Sequence, residues 1–322
     1  MKSALFYNKT YNPCQSHINM SLKGKRVLIT GGSGFIGQNL IRRLKEEKAE
    51  ITNIGRKPIG GINNINSDLT KTDFSFLDNL DFDYVIHLAA FSSPRRSKNE
   101  EDTIKLNTES TKSFFNKLLK KEIKKIIFTS SAAVYETSET DIKEESHLSK
   151  DPSIYAKSKI LAEKYCLEMI KRGAPIICFR LSNTFGPGQQ WKEKDTPTLL
   201  PQMISQALLK NEITIFNPTP KRDYLYIDDA INAIILALES DYFGILNLGT
   251  SVSTRVGILA ERISEMLNVP VKYSSMEDKK DSLVLKIDKI KSVLKWHPKT
   301  SLEEGLKKTM SFYKETIKNK ND

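Results

Sequence analysis

The chain has 322 residues, 39% of them hydrophobic, with 50 Lys and Arg against 39 Asp and Glu for a formal charge of +11. That length suits one large α/β domain or two closely joined ones, and the lysines are scattered among glutamates rather than gathered with aromatics, which argues against a nucleic-acid partner. Cys14, Cys166 and Cys178 show no paired spacing and no apolar stretch reaches membrane-spanning length, so a disulfide framework, a zinc site and a membrane partner are not expected, and a reducing, cytoplasmic setting is.

Residues 1–20 are polar without a clear period and lack the apolar region of a signal peptide, so a disordered extension is expected there. Met20, followed by Ser-Leu-Lys-Gly-Lys, is a candidate start. A short apolar strand over 27–30 runs into a glycine cluster, and a helix over 35–47 follows with Phe35, Ile36, Leu40, Ile41 and Leu44 on one face. Gly31, Gly34 and Gly37 fit G-x-x-G-x-x-G, the strand–turn–helix opening of a dinucleotide-binding unit. Gly31 permits the tight turn, Gly34 lets backbone approach a pyrophosphate at the helix N-terminus, and Gly37 lets helix pack on strand. An ordinary glycine-rich turn is the alternative.

Strands are expected over 51–54, 62–66, 84–88, 125–129 and 175–179, with helices over 102–120 and 155–172. This alternation implies an α/β, doubly wound parallel sheet. After Arg180 the composition shifts: 186–222 is rich in Pro, Gly, Asn and Lys, with a helix near 201–210. A strand over 224–227 and a helix over 228–239 return to the main sheet, and 244–316 holds short strands and amphipathic helices. The division drawn is 21–180 plus about 223–243 for the cofactor-binding part, with 181–222 and 244–316 forming a smaller mixed α/β substrate domain.

Tyr155 and Lys159 stand four apart on a helix and so share a face. A phenol near pKa ~10 exchanges protons poorly at neutral pH, and a nearby ammonium lowers it toward general acid–base work. A solvated helix face is the bland reading of the same spacing. Ser131 comes just after the strand over 125–129, where it could hydrogen-bond a reacting oxygen beside Tyr155, or simply satisfy its own backbone. His87 ends an apolar strand and reads as a packed core residue without a catalytic role.

The ordered set Thr30-Gly-Gly-Ser-Gly-Phe-Ile-Gly37, His87-Leu-Ala-Ala90, Asn107, Ser130-Ser-Ala-Ala-Val-Tyr135 and Tyr155-x-x-x-Lys159 resembles the extended short-chain dehydrogenases/reductases. Within them it is most similar to the nucleotide-sugar epimerases, dehydratases and reductases, from about Lys25 to about Tyr313. The resemblance implies a Rossmann sheet and a catalytic set of Ser131, Tyr155 and Lys159, with Lys159 also holding the nicotinamide ribose and lowering the phenol. It implies a cofactor site of Gly31, Gly34, Phe35, Ile36, Gly37, Arg56, Asp68, Leu69, Leu88, Ala89, Ala90 and Asn107, shared with Tyr155 and Lys159. Arg180-Leu-Ser-Asn-Thr-Phe-Gly-Pro-Gly188 and Arg222-Asp-Tyr224 match later family segments, so Asn183 and Arg222 are expected to bind a nucleotide-diphosphate sugar. Asn247-Leu-Gly249 and Trp296-x-Pro298 match as well. A homodimer is implied, through helices over 102–120 and 155–172 with Phe114, Phe115, Leu118 and Leu119 available to its face or to this chain's own sheet.

Two departures narrow the chemistry. The family's dehydratases carry an Asp-Glu pair where this chain has Ala132 and Ala133, neither of which transfers a proton, so 4,6-dehydration is not expected. NAD-preferring members end the second strand with an acidic residue; here Gly55-Arg56 stands there, and an arginine pairs with a 2′-phosphate, so NADP(H) is favoured over NAD(H). Arg56 stacked on adenine or turned to solvent is the alternative. The resulting expectation is NADPH-dependent reduction of a 4-keto nucleotide sugar, with a 4-epimerase as the alternative and a catalytically silent binding protein of the same fold as the reading from another class. Metal and nucleic acid are not expected.

Overall fold

The computed structural model describes residues 22–71, 73–92, 99–190, 198–274 and 281–321, so the extension expected over 1–20 and most of the loop over 92–96 lie outside the described residues. In chain order the first half runs β1 (Arg26–Thr30), α1 (Phe35–Glu46), β2 (Glu50–Gly55), β3 (Asn63–Asn66), β4 (Tyr84–His87), α2 (Glu100–Ile104), α3 (Thr111–Leu118), β5 (Lys125–Ser131), β6 (Ser138–Ile142), α4 (Ile154–Lys171) and β7 (Ile176–Leu181). The second half runs β8 (Asn183–Phe185), α5 (Leu199–Lys210), β9 (Ile213–Ile215), β10 (Lys221–Arg222), β11 (Tyr224–Tyr226), α6 (Ile227–Leu238), β12 (Gly244–Leu248), β13 (Thr254–Arg255), α7 (Val256–Leu267), β14 (Val271–Tyr273), β15 (Ser282–Leu285), α8 (Asp288–Leu294) and α9 (Leu302–Asn321).

The main sheet has seven strands in the order β12-β7-β5-β4-β1-β2-β3, and every pairing in it is parallel. Its central strands are continuous apolar runs because both faces are covered. Val27, Ile29, Ile127 and Phe179 pack with Leu40, Ile41 and Leu44 of α1 and Ile231 and Ile234 of α6. The residues between them in sequence, Leu28, Ile126, Phe128 and Cys178, face the other way and pack with Phe114 and Phe115 of α3 and Ala162 and Cys166 of α4. Each such fully buried side chain contributes roughly 1.5–3 kcal/mol relative to exposure. Phe114, Phe115 and Leu118 are thus committed to this chain's own sheet, and of the four residues offered for a dimer face Leu119 alone is part-exposed.

The strand order reverses between β1 and β4, which opens a crevice at their C-terminal ends where ligands of such sheets bind. Two segments cross the division drawn from sequence. β12 lies in the seven-stranded sheet, while β6, from the first half, lies in a four-stranded small sheet of order β13-β10-β15-β6. The helix expected over 102–120 is also interrupted. Lys105–Ser110 winds as a wider π turn between α2 and α3, a distortion that re-aims a side chain, here Asn107.

Candidate functional site

The glycine turn closes against the end of β4. Gly31 sits at φ +75, and a Cβ there would stand 2.7 Å from the Ala89 amide nitrogen and 2.8 Å from the Leu88 carbonyl carbon. A Cβ on Gly37 would strike the carbonyl of Gly31 and stand 2.6 Å from the α-carbon of Gly32, so both positions admit glycine alone without rearrangement. Gly34 is the N-cap of α1 and no side chain caps the turn. The first-turn amides of Phe35 and Ile36 therefore point to a place suited to an anion. Asn53 of β2 steadies the loop by accepting from the Gly32 amide at 3.1 Å. A bare turn cradled by backbone and ending in an uncapped helix fits the pyrophosphate of a dinucleotide.

Around this cradle lie the other residues expected to line the cofactor. Leu88, Ala89 and Ala90 are part-buried beside it, and the Leu88 amide donates to the Thr30 carbonyl at 3.1 Å. Arg56 is exposed at the end of β2, close enough to Asp68 to act on its charge. Burial works to raise the Asp68 carboxyl, but hydrogen bonds from the Thr70 amide and hydroxyl, helped by Arg56, hold it below the usual range. Leu69 beside it is buried. Asn107 is occupied: its side chain accepts from the Phe91 amide at 2.8 Å and donates to the Phe91 carbonyl and to the Ser158 hydroxyl. It therefore ties the segment after β4 to α4.

The three residues expected to be catalytic come together where β5 ends and α4 begins. Ser131 accepts from the Ala133 amide at 3.2 Å and stands close enough to the Tyr155 phenol to act on its proton affinity. Lys159, 2% exposed, donates to the Thr129 carbonyl at 2.7 Å, with its ammonium 4.8 Å from the centre of the Phe128 ring. The resemblance implies a phenol lowered by Lys159. In the structure burial pushes Tyr155 up instead, with Ser131 opposing, while the ammonium is turned onto Thr129. Burial also pulls Lys159 down to about 8, with Glu163 opposing.

His87 is buried among Phe114, Phe115 and Phe128, with its two ring nitrogens bonded to the hydroxyls of Thr30 at 2.7 Å and Thr111 at 2.9 Å. Burial, and then the charge of Lys159, drop it to about 3, so it is neutral and structural.

A cavity of about 760 Å³ opens beside the set, lined among others by Ala133, Tyr135, Ser153, Arg222 and Asp281. Arg222 reaches it from β10, but its guanidinium is paired with Asp281 at 2.8 Å and also donates to the Asp281 and Lys221 carbonyls. Asn183 is exposed and donates to the Asp223 carbonyl at 3.2 Å. Asp223 itself is buried and accepts from Thr250 and Ser251, and burial lifts it to about 6 despite those bonds. The segment near Trp296 is anchored elsewhere: its indole donates to the Asp229 carbonyl, and the Asp229 carboxylate accepts from Lys299 and Thr300.

Sequence reasoning assigned no role to a buried network behind Lys159. Arg180 binds both carboxylate oxygens of Glu163, at 2.7–3.1 Å, and donates to the Tyr135 hydroxyl at 2.7 Å. Tyr135 in turn donates to Asn247 at 2.7 Å. Tyr135, Arg180 and Asn247 stand in segments already matched to the family, and Glu163 was detectable as the next residue on the Tyr155–Lys159 face of α4. Among the described residues no cluster of metal-ligating side chains occurs, and no helix is long and apolar enough to cross a membrane.

Known proteins show the family and the fold. The NAD dependent epimerase/dehydratase family matches residues 27–249. UDP-glucuronic acid decarboxylase 5 of Arabidopsis thaliana is 29% identical over 312 residues, 91% of this chain and 88% of that one. dTDP-4-dehydro-6-deoxyglucose reductase of Escherichia coli is 29% identical over 314 residues, 90% of this chain and 98% of that one. Among solved structures, UDP-N-acetylglucosamine 4-epimerase from Methanobrevibacter ruminantium M1, in complex with UDP-N-acetylmuramic acid, superposes with a TM-score of 0.83 at 27% identity, over 91% of this chain and 99% of that one. With the glycine cradle, the parallel sheet and the Ser131–Tyr155–Lys159 set in place, the chain belongs to the NAD dependent epimerase/dehydratase family, within the extended short-chain dehydrogenases/reductases.

Proposed function

We propose that the protein is an oxidoreductase acting at C4 of a nucleotide-diphosphate sugar, reducing a 4-keto group with NADPH. The observation that carries this reading is the closeness of Ser131 to the Tyr155 phenol, with Ala132 and Ala133 directly after the serine. The pair handles a proton on oxygen, and the alanines offer no group to take one from carbon. Burial that keeps the phenol protonated suits the acid needed to deliver a proton to a carbonyl oxygen.

The bound nicotinamide supplies the hydride chemistry. Gly31 and the first turn of α1 hold the pyrophosphate, and Lys159 holds the ribose. Arg56 pairs with a 2′-phosphate, which is what supports NADP(H) over NAD(H). Ser131 fixes the sugar oxygen and Tyr155 gives it a proton. Asn183 and Arg222 hold the nucleotide end, with Arg222 exchanging Asp281 for the diphosphate. That pair is 21% and 46% exposed, and such pairs contribute no more than about 1 kcal/mol, so a doubly charged ligand displaces it readily.

A 4-epimerase is the second reading. It needs the same Ser131–Tyr155 pair, and the solved 4-epimerase noted above shares the fold across nearly its whole length. NADPH absorbance followed with UDP-, dTDP-, GDP- and CDP-linked sugars and 4-keto sugars, with products resolved by NMR, separates the two. Stoichiometric NADPH loss with a 4-keto substrate supports the reductase. Interconversion of two sugars at constant NADPH overturns it in favour of the epimerase, and release of carbon dioxide from a uronate overturns both. The same run with NADH tests Arg56.

A further inference from the structure

Tyr155, Lys159 and Glu163 form one stripe on α4 at successive turns. By the reading above the first two serve the reacting oxygen and the ribose, and the third is turned into the protein, 2% exposed. A single guanidinium takes up both its oxygens: Arg180 Nε lies 3.1 Å from each, and Nη2 lies 2.7 Å from Oε2. The free arm of Arg180 donates to the Tyr135 hydroxyl at 2.7 Å and to the Glu144 carbonyl at 2.9 Å, and the Tyr135 ring lies flanking the guanidinium at 4.6 Å. Tyr135 then donates to Asn247, whose amide nitrogen donates to the carbonyls of Ile142 at 2.9 Å and Lys286 at 3.1 Å. Ile142 ends β6 and Lys286 follows β15, so the line ends on the small sheet that carries Arg222.

A buried ion pair is weak evidence for stability, because taking both charges out of water costs as much as their attraction returns. Packing alone does not require a carboxylate here. Its consequence is electrical: the negative end of a fixed charge pair stands one helical turn from a buried ammonium. We propose that Glu163 is the positioning residue of the site, keeping Lys159 charged and aligned toward the ribose, and that Tyr135 and Asn247 lock it to the small sheet so that both halves of the site keep one alignment. The inference rests on the reading of Lys159 as the ribose-holding residue.

The titratable groups facing the Lys159 ammonium are Glu163 and Cys166 on its own helix, Cys178 on β7 and His87 on β4, with Arg180 beyond Glu163. Glu163 opposes the burial that draws Lys159 down to about 8, and His87, neutral at about 3, adds no charge there in the working range.

The experiment is fluorescence titration of the full chain with NADPH and with NADH from about pH 6 to about pH 9, for wild type, Glu163→Gln, Glu163→Asp, Tyr135→Phe, Lys159→Met and the double variant Glu163→Gln with Arg180→Met. Wild-type affinity falls above about pH 8 as the ammonium is lost. In Glu163→Gln the break moves down by about one unit, which is about a tenfold loss of affinity on its basic side. Glu163→Asp keeps the carboxylate and restores the break to within about threefold of wild type. Tyr135→Phe leaves the ion pair and so leaves the break unmoved; Glu163→Gln with Arg180→Met, which removes both charges together and strands neither, decides the matter if Glu163→Gln alone does not fold. A uniform loss of affinity with an unmoved break in Glu163→Gln, or in the double variant where the single one does not fold, overturns the positioning role. Lys159→Met with undiminished affinity overturns the reading of Lys159 as well, so the two failures are distinguishable.

Discussion

Replacing His87 by glutamine tests how a neutral imidazole shapes the pH dependence of the fold. The ring is 1% exposed, hydrogen-bonded at both nitrogens, and held at about 3 by burial and by Lys159. An unfolded chain binds that proton near ~6.5, so stability contributed by His87 is present above that value and drains away as the pH falls toward the folded one. Between about pH 7.5 and about pH 5 the loss comes to about 2 kcal/mol. Asp223 acts in the opposite sense. Burial raises it to about 6 against 3.8 in the open chain, so its contribution is greatest below the unfolded value and is lost as the pH rises through about 6. Over the same acid step it returns about 1.4 kcal/mol, leaving wild type with a shallow net change from the two groups. Glutamine cannot take up the proton, so the variant keeps the Asp223 gain without the His87 loss. The constant cost of its altered hydrogen bonds cancels in the difference between the two pH values. Urea unfolding at both should show the stability gap between variant and wild type shifting by about 2 kcal/mol in favour of the variant on acidification. Parallel pH dependences, within about 0.5 kcal/mol, would refute the neutral, buried assignment.

Tyr155→Phe should lower kcat by about 10²–10⁴-fold while leaving the dissociation constant of NADPH within a factor of about three, read by steady-state kinetics and fluorescence titration. Arg56→Ala should weaken NADPH about tenfold or more and leave NADH unchanged; equal effects on both cofactors would show that it does not meet a 2′-phosphate. Gly37→Ala, whose added carbon would meet the Gly31 carbonyl and the Gly32 backbone, should weaken both cofactors together and lower the melting temperature. Arg222→Ala should raise KM for the sugar nucleotide about tenfold or more with kcat changed less, since it acts on binding at a distance from the reacting oxygen.

The alternation of strand and helix, the glycine turn and the shared face of Tyr155 and Lys159 were readable because each rests on local periodicity or short spacing, whereas Ser131, on another element, was joined to them by the family resemblance. What sequence left hidden is tertiary. β6 reads Ser-Glu-Thr-Asp-Ile, with one apolar residue, so no pattern announces a strand or the sheet it joins. The π turn at Lys105–Ser110 has no breaker residue, and only the bonds of Asn107 to Phe91 and Ser158 reveal why the winding opens. The partner of Glu163 lies 17 residues away on another element, beyond any helical spacing. The burial that shifts Tyr155 and the direction in which the Lys159 ammonium points were hidden too, since sequence fixes the face of a helix but not the rotamer.

The excursion of β6 into the small sheet has an engineering consequence. Ser131 and Tyr155 bracket a stretch whose middle pairs with β15, more than a hundred residues downstream, while β12 returns from beyond α6 to complete the main sheet against β7. Neither sheet can be excised as a contiguous fragment. A truncation before β12 would strip β7 of one neighbour and β6 of its partner β15 at a stroke, so the two halves are not interchangeable modules. Swapping the second half between relatives to change specificity must therefore transplant the 138–142 stretch with it, or the graft will carry a strand without its partner between Ser131 and Tyr155.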